Sequence, residues 1–348
     1  MAFADPGKLK RLEQFRLEQG VPGISLAVVR NGKPELVTTV GHPDLQGEHP
    51  LALDALFPIY SVTKTLIAAA LMLLMRDHPL QLDDAVAVHL PDLHLPETIT
   101  IRHLLNHTGG LPDYGSLKAY QEALRAHPPE PWTEKEYLTL ISSMGLQQEA
   151  GDTFLYSNVG YLVLKLLVEK LSGKRLAETL KQLLFDPMGL QNTRVAENLQ
   201  DMADLTPGFS RFWSPELQDV REFYHPGWVA HGVVLSTASE LAALVDTLFT
   251  SRVLLPRELG EMMQAVVVAD HHPIFTVPGY GLGLMIDALR HEFIGHGGGG
   301  PGYSIGALHC PDRFGESFTC VVMVNQEGGW GLELAHQVIL EYSVHSSQ

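Results

Sequence analysis

Apolar and polar positions follow two different periods along this chain and divide it into three parts. Near the start, residues 7–20 have the spacing of an amphipathic helix, and the β-branched runs 24–29 and 36–40 are typical of strands. Asn31-Gly32 lies between the two runs and is a strong signal for a hairpin turn. The beginning of the chain is therefore predicted to form one helix followed by a two-stranded hairpin.

The middle of the chain has helical periodicity that Pro and Gly interrupt. Its predicted helices cover residues 61–77, 100–106, 115–127, 133–144, 159–171 and 175–185. From about residue 232 the pattern changes again. The last part is predicted to hold helices at 238–250, 256–265 and 330–343 and strands at 280–287, 291–295, 303–309 and 317–324.

The strand-rich parts lie at opposite ends of the sequence, which decides the expected fold class. The simplest arrangement is α/β of the α+β kind, with one antiparallel sheet that is flanked by helices and interrupted by a mostly helical lobe. In this arrangement residues 1–348 form a single domain. Its sheet lobe comprises 1–60 and 232–348, and its helical lobe comprises 61–231.

Composition excludes several classes of protein. With 45% hydrophobic and 18% charged residues the chain is globular, and a net charge of −16 argues against nucleic acid or an anionic membrane as a partner. Cys310 and Cys320 could meet across a hairpin, although two reduced thiols are the simpler expectation. The first residues lack a signal-peptide pattern, and the longest apolar run, 66–75, is too short to span a bilayer. A cytoplasmic location is expected.

Ser61-x-x-Lys64 is the first candidate for chemistry. An apolar run of good helix formers begins just after the serine, so Ser61 is predicted to lie in the first turn of a helix. At a spacing of three residues, Ser61 and Lys64 project from the same helical face. A lysine among apolar neighbours favours its neutral form and can accept a proton from a serine nucleophile. An N-cap serine followed by a snorkelling lysine would explain the same spacing without any catalysis.

Tyr156-x-Asn158 follows a turn-rich segment and precedes a predicted helix. The tyrosine could serve as a base if a nearby cation lowered its pKa, and the asparagine could orient Lys64 or a substrate amide. Helix capping by Ser157 or Asn158 explains the segment equally well.

The glycine run that begins at His296 is the third candidate. It lies between two predicted strands, and its glycines would let a substrate approach backbone N–H groups of the kind that form an oxyanion hole. A histidine at the entrance could bind a substrate carboxylate or hydrogen-bond a reacting group. Taken alone, the run could equally be a flexible loop.

The three elements, in this order, resemble the serine β-lactamase and penicillin-binding-protein superfamily, whose patterns are S-x-x-K, S-D-N and K-T-G. The variants here look most like the branch with class C β-lactamases, D-amino-acid peptidases and family VIII esterases, which uses Y-x-N and often H-x-G. The resemblance implies a β-lactamase/transpeptidase-like fold. Residues 82–84, 100–112, 187–190 and 236–238 look like recurrent framework segments of the same superfamily.

Carried over by position, the resemblance implies that Ser61 is the acylated nucleophile and that Lys64 assists its deprotonation. Tyr156 would act as general base and later as proton donor to the leaving group. Asn158 would orient Lys64 and the substrate.

The third motif supplies the remaining implied site residues. His296 would take the place of the motif's lysine and Gly298 that of its glycine, while the backbone N–H groups of Ser61 and Gly299 would form the oxyanion hole. Replacing a permanent cation by His296 favours uncharged substrates over those with a carboxylate. His231 stands where the family usually has the alanine of Ala-Gly-Gly. It could narrow the cleft or contact substrate, but a structural histidine is the simpler interpretation.

The sequence contains two weaker candidates for a functional site. Gly302–Gly306 matches the G-x-S-x-G elbow of lipases around Ser304, but a strand continues where that elbow requires a helix. His103 and His107 lie four residues apart without nearby acidic ligands, which favours a structural role over metal binding. No metal and no cofactor is predicted.

The sequence therefore predicts a serine hydrolase that works through an acyl-enzyme, with short-chain carboxylic esters as the leading substrates. The alternatives are a D-amino-acid peptidase, a D-alanyl-D-alanine carboxypeptidase or a β-lactamase, and, in another class, a catalytically silent penicillin-binding-like scaffold. The expected partner is a small-molecule ester, amide or β-lactam, and the oligomeric state stays open. Aromatic residues in the loops 113–135 and 205–230 could form an acyl pocket or simply pack the lobes together.

Overall fold

An eight-stranded antiparallel sheet joins the two ends of the chain in the computed structural model, which describes residues 6–250, 252–268 and 271–342. Its spatial order is β2-β1-β13-β12-β11-β10-β9-β8, and two smaller sheets, β3-β7-β4 and β5-β6, accompany it. The strands are β1 Gly23–Arg30, β2 Lys33–Gly41, β3 Leu56–Pro58, β4 Arg194–Ala196, β5 Phe209–Ser210, β6 Gln218–Asp219, β7 Val233–Thr237, β8 Val266–Val267, β9 Pro278–Tyr280, β10 Met285–Asp287, β11 Ile294–Gly300, β12 Tyr303–Arg313 and β13 Glu316–Val324.

Eleven α-helices in the described residues cover this sheet and fill the middle of the chain. They are α1 Pro6–Gln19, α2 Thr63–Leu74, α3 Val86–His89, α4 Ile101–Leu105, α5 Lys118–Ala126, α6 Glu134–Met144, α7 Asn158–Ser172, α8 Leu176–Leu180, α9 Ala238–Phe249, α10 Pro256–Met262 and α11 Gly331–Tyr342. None of them combines the length and the apolar character needed to cross a membrane.

The predicted hairpin forms, and it explains how the ends of the chain meet. Asn31 and Gly32 have φ values of 50° and 73°, the left-handed conformation that a tight hairpin turn requires. The strand β1 then pairs with β2 on one side and with β13 on the other, for example Ile24 with Val40 and with Val324. The expected antiparallel sheet with flanking helices is therefore confirmed.

Both faces of this sheet are buried, which accounts for the continuous apolar run in β1. Ala27 and Val29 pack into the larger core with α9 and the helical middle, whereas Leu26 and Val28 pack into a second core with α1 and α11. A strand that is covered on both sides has no polar face, so its sequence does not alternate. The division into a sheet lobe and a helical lobe stays a prediction.

Two of the predicted strands have wrong boundaries. The segment 280–287 is not one strand, because β9 and β10 are separated by a turn at Gly283, where φ is 73°. The strand predicted at 291–295 instead starts at Ile294 and continues through the glycines to Gly300, so the run is a strand and not a loop. The helix predicted over 175–185 ends at Phe185 as expected, but it changes at Lys181 into a short π-helical segment.

Cys310 and Cys320 are both buried in neighbouring strands. They do not lie opposite each other, since Cys320 pairs in register with Leu308 and Cys310 with Phe318. Residue 343, the last of the predicted final helix, lies outside the described residues.

Candidate active site

Ser61 lies in a single 3₁₀ turn, Tyr60–Val62, directly before α2, and not in the first turn of the α-helix as predicted. Tyr60 has a φ of 43°, an uncommon left-handed conformation for a bulky residue. Its ring is buried, and its hydroxyl donates to the carbonyl oxygen of Pro301 at 2.6 Å. This contact ties the turn that carries Ser61 to the end of β11.

Lys64 follows one turn later in α2, a helix whose residues are nearly all buried. Its Nζ lies 3.1 Å from Ser61 Oγ, and the exposed fraction of the side chain is 0%. Burial lowers the pKa of Lys64 from 10.5 to about 7, while the charge of Asp113 opposes the shift. Near neutral pH a substantial part of the protein therefore has a neutral amine beside the serine.

Tyr156 and Asn158 reach the same place from the start of α7. The Tyr156 hydroxyl donates to Ser61 Oγ at 3.0 Å, and Asn158 Oδ1 accepts from Lys64 Nζ at 2.7 Å. The hydroxyl of Ser157 meanwhile caps α7 by accepting from the N–H of Gly160. Capping and site formation are thus compatible, because Ser157 points to the helix while its two neighbours point to Ser61 and Lys64.

Burial raises the pKa of Tyr156 above its ordinary value of 10. The hydrogen bond to Ser61 opposes this shift only in part, and the predicted lowering by a nearby cation is not found. The phenol therefore stays protonated at neutral pH. Of the two candidate bases, Lys64 is the one that is ready to accept a proton.

Asp113 completes this cluster and was not among the predicted site residues. Its Oδ1 accepts from the backbone N–H of Asn158 at 2.8 Å and from the side-chain Nδ2 at 2.9 Å. A carboxylate can only accept, so it orients the amide with Nδ2 towards itself and Oδ1 towards Lys64. Asp113 directly follows the framework segment 100–112, but its contact with Asn158 spans 45 residues and has no local signal.

His296 was predicted to lie at the entrance of a cleft, but in the structure it is buried. It is 1% exposed, its Nε2 hydrogen-bonds the hydroxyl of Tyr280 at 2.8 Å, and its Nδ1 hydrogen-bonds the carbonyl oxygen of Gly297. Burial lowers its pKa to about 3, so the ring is neutral. The structure therefore does not support the predicted contact with a substrate carboxylate, because both ring nitrogens are occupied and no charge is present.

The glycines of β11 lie against the turn that carries Ser61. A Cβ atom on Gly298 would lie 2.3 Å from the carbonyl oxygen of Ile59, so only glycine allows this close approach. At Gly299 nothing in the described residues lies within 4 Å of the corresponding position. The oxyanion hole between Ser61 and Gly299 stays a prediction.

The rival sites are not assembled. Ser304 is buried near the start of β12, and its hydroxyl accepts from the N–H of Gly331 at 3.1 Å. His107 stacks on Tyr156 with ring centroids 4.2 Å apart, and in the described residues no three metal-ligating side chains come together. Three aromatic residues of the loops 113–135 and 205–230 are buried and in contact, because the ring of Tyr120 packs on those of Tyr114 and Trp228.

Residues 9–343 match the family model described as Beta-lactamase. The chain is 27% identical over 316 residues to a D-aminopeptidase of Brucella anthropi, covering 88% of the chain and 57% of that protein. It is 31% identical over 211 residues to penicillin-binding protein 4* of Bacillus subtilis, covering 60% of the chain and 41% of that protein.

The fold of this chain is similar to that of solved structures over nearly its whole length. A D-stereospecific amidohydrolase from Streptomyces sp. superposes with a TM-score of 0.81 at 25% identity, covering 99% of this chain and 100% of that one. The chain spans about half the length of the first curated relatives that it matches. The match of the family model over nearly the whole sequence shows that the chain belongs to the Beta-lactamase family, within the superfamily of serine β-lactamases and penicillin-binding proteins.

Proposed function

We propose that the protein is a serine hydrolase that cleaves amide or peptide bonds after a D-amino acid through an acyl-enzyme. The observation that carries the proposal is the contact of Ser61 Oγ with both Lys64 Nζ and the Tyr156 hydroxyl, at 3.1 and 3.0 Å. The relatives named above are a D-aminopeptidase and a D-stereospecific amidohydrolase. These names favour the peptidase alternative over the short-chain esterase that led the sequence-based expectation.

The charges of the site narrow the substrate further. A carboxypeptidase or β-lactamase substrate carries a carboxylate, yet His296 is neutral at any pH well above 3. An aminopeptidase or amidase substrate instead carries an ammonium group next to the bond that is cleaved. The half-buried carboxylate of Asp113, hydrogen-bonded to Asn158, offers the complementary charge.

Acylation follows from the positions of the three polar groups. The neutral Lys64 amine takes the hydroxyl proton of Ser61 as Oγ bonds to the substrate carbonyl carbon. When the carbon–nitrogen bond breaks, the Tyr156 hydroxyl gives its proton to the leaving nitrogen, and the proton held by the Lys64 ammonium restores the phenol. Water then attacks the ester carbonyl, and the same groups return the proton to Ser61.

A parallel assay tests this function. D-alanyl and L-alanyl p-nitroanilides, p-nitrophenyl acetate and nitrocefin are compared by kcat/KM, with Ser61→Ala as the inactive variant and Ser304→Ala as the matched control. We expect the D-anilide to exceed the L-anilide by about tenfold or more, a difference of about 1.4 kcal/mol in transition-state binding. Hydrolysis of p-nitrophenyl acetate alone would restore the esterase prediction. Failure of Ser61 to react with a fluorophosphonate would support the silent scaffold.

A further inference from the structure

His231 contacts Lys64 from a side that none of the three motifs occupies. It lies two residues before β7, and its ring is 1% exposed. Its Nε2 is 3.3 Å from Lys64 Nζ, although the two residues are 167 positions apart in the chain. The resemblance placed His231 where the family usually has alanine, so a small side chain would leave this side of the amine without a polar neighbour.

Among the described residues the lysine amine has three hydrogen-bonding neighbours, which matches the number of its N–H groups when it is charged. They are Ser61 Oγ, Asn158 Oδ1 and His231 Nε2. Asn158 Oδ1 is an acceptor only, because Asp113 binds the NH₂ end of that amide. When the ammonium loses a proton, the neutral amine keeps two N–H groups and gains one lone pair. Two of the three neighbours then face an N–H group, and the third faces the lone pair.

The tautomer of His231 decides where the lone pair points. If Nε2 carried the proton, it would donate to the amine and direct the lone pair away from the serine. If Nδ1 carries the proton, Nε2 and Asn158 Oδ1 both accept, and Ser61 is the one neighbour with a proton to give. The second tautomer also satisfies the charged amine, whose three N–H groups then meet three acceptors.

We propose that His231 is a positioning residue that, as a neutral Nδ1–H imidazole, aims the lone pair of Lys64 at the hydroxyl of Ser61. This inference rests on the proposed role of Lys64 as the base. Within the described chain the buried Nδ1 has no hydrogen-bond partner, so the histidine gives up one hydrogen bond at a position where alanine would give up none. A role in orienting Lys64 explains why a polar ring occupies this position.

The surroundings keep this ring neutral. Lys64 from α2, Tyr161 from α7, His296 from β11 and His107 from the segment after α4 face it. Burial, followed by the charge of Lys64, lowers the pKa of His231 well below 6.5. The ring therefore stays neutral over the whole range in which Lys64 titrates.

Isosteric variants test the proposal. In His231→Gln an amide oxygen can take the place of Nε2, whereas His231→Leu fills similar space without an acceptor. The rate constant for labelling of Ser61 by a fluorophosphonate is measured from pH 5 to 9. We expect His231→Leu to lose roughly 10- to 100-fold on the plateau above the pKa of Lys64 and His231→Gln to stay within about threefold of the wild type. Equal losses in both variants, or no loss in His231→Leu, would overturn the proposal.

A second measurement does not need activity. In protein with ¹³C-labelled lysine, the resonance that is missing from Lys64→Met identifies Lys64, and its titration gives the pKa directly. His231→Leu should lower this pKa, because the ammonium form loses an acceptor that it needs more than the neutral amine does. His231→Gln should leave it unchanged. If the wild type does not label, the proposed function fails, while this titration still decides whether His231 holds the amine; an unchanged pKa in His231→Leu refutes it.

Discussion

Replacing Lys64 by Met should make the stability of the protein less dependent on pH. The unfolded chain holds this lysine in water with its ordinary pKa of 10.5, whereas burial lowers the pKa to about 7 in the folded chain. Between these values the unfolded chain binds one more proton than the folded chain. The free energy of unfolding of the wild type therefore rises with pH in this window, and this part of the rise is absent from Lys64→Met.

The size of the effect follows from the shift. One extra proton in the unfolded state changes the free energy of unfolding by about 1.4 kcal/mol per pH unit. The folded lysine is still half-protonated at its pKa of about 7. From pH 7 to pH 9 the wild type should therefore gain about 2 kcal/mol relative to Lys64→Met. Below pH 7 both states hold the proton, so the difference between the two proteins becomes constant there.

Urea denaturation at pH 7, 8 and 9 and constant ionic strength measures this difference. Lys118→Met is the matched control, because the Lys118 side chain is 87% exposed and its loss should leave the pH dependence of the wild type unchanged. Other titrating groups are common to all three proteins and cancel in the comparison. Parallel curves for the wild type and Lys64→Met would refute the claim that burial favours the neutral lysine, and with it the proposed base.

Three further predictions concern the glycine strand and the proton transfers. Gly298→Ala should lower the free energy of unfolding by about 1–3 kcal/mol in the same urea assay, because its Cβ would meet the Ile59 carbonyl oxygen at 2.3 Å, whereas Gly299→Ala should not. Tyr156→Phe should reduce kcat by about 100-fold or more for a D-anilide but less for a p-nitrophenyl ester, whose leaving group needs no proton; equal losses would contradict its role as donor. The fluorophosphonate labelling rate should rise with pH to a plateau above the Lys64 pKa of about 7, with a slope of one in log rate; a slope of two would mean that a second group must lose a proton.

Local patterns were enough to predict most of the fold. The hairpin of β1 and β2 depends on a two-residue turn, and α2 depends on an unbroken run of helix formers, so both signals lie within a few residues. The strand β11 could not be predicted in this way. Its glycines carry no side-chain pattern, and it is the register with β12, such as Gly298 opposite Ile305, that makes them a strand.

Separation along the chain also explains which site contacts could be predicted and which were missed. Ser61 and Lys64 are three positions apart, so helical geometry alone could bring them together. Asp113 and His231 reach Asn158 and Lys64 across 45 and 167 residues, so their contacts depend on how segments distant in the sequence pack together. The motifs therefore predict which groups react, while residues outside the motifs hold those groups in orientation.

Lys64 can serve as a base because the histidines buried beside it bind a proton less strongly than it does. Burial lowers the pKa values of His107, His231 and His296, and the charge of Lys64 lowers each of them further. A proton that enters this cluster therefore goes to Lys64, whose pKa of about 7 lies above that of His296 at about 3. The resemblance implies that His296 takes the place of the family's third-motif lysine, and a neutral histidine there would have two consequences. It would remove the cation that binds a substrate carboxylate, and it would remove a positive charge that lowers the pKa of Lys64 still further and weakens it as a base.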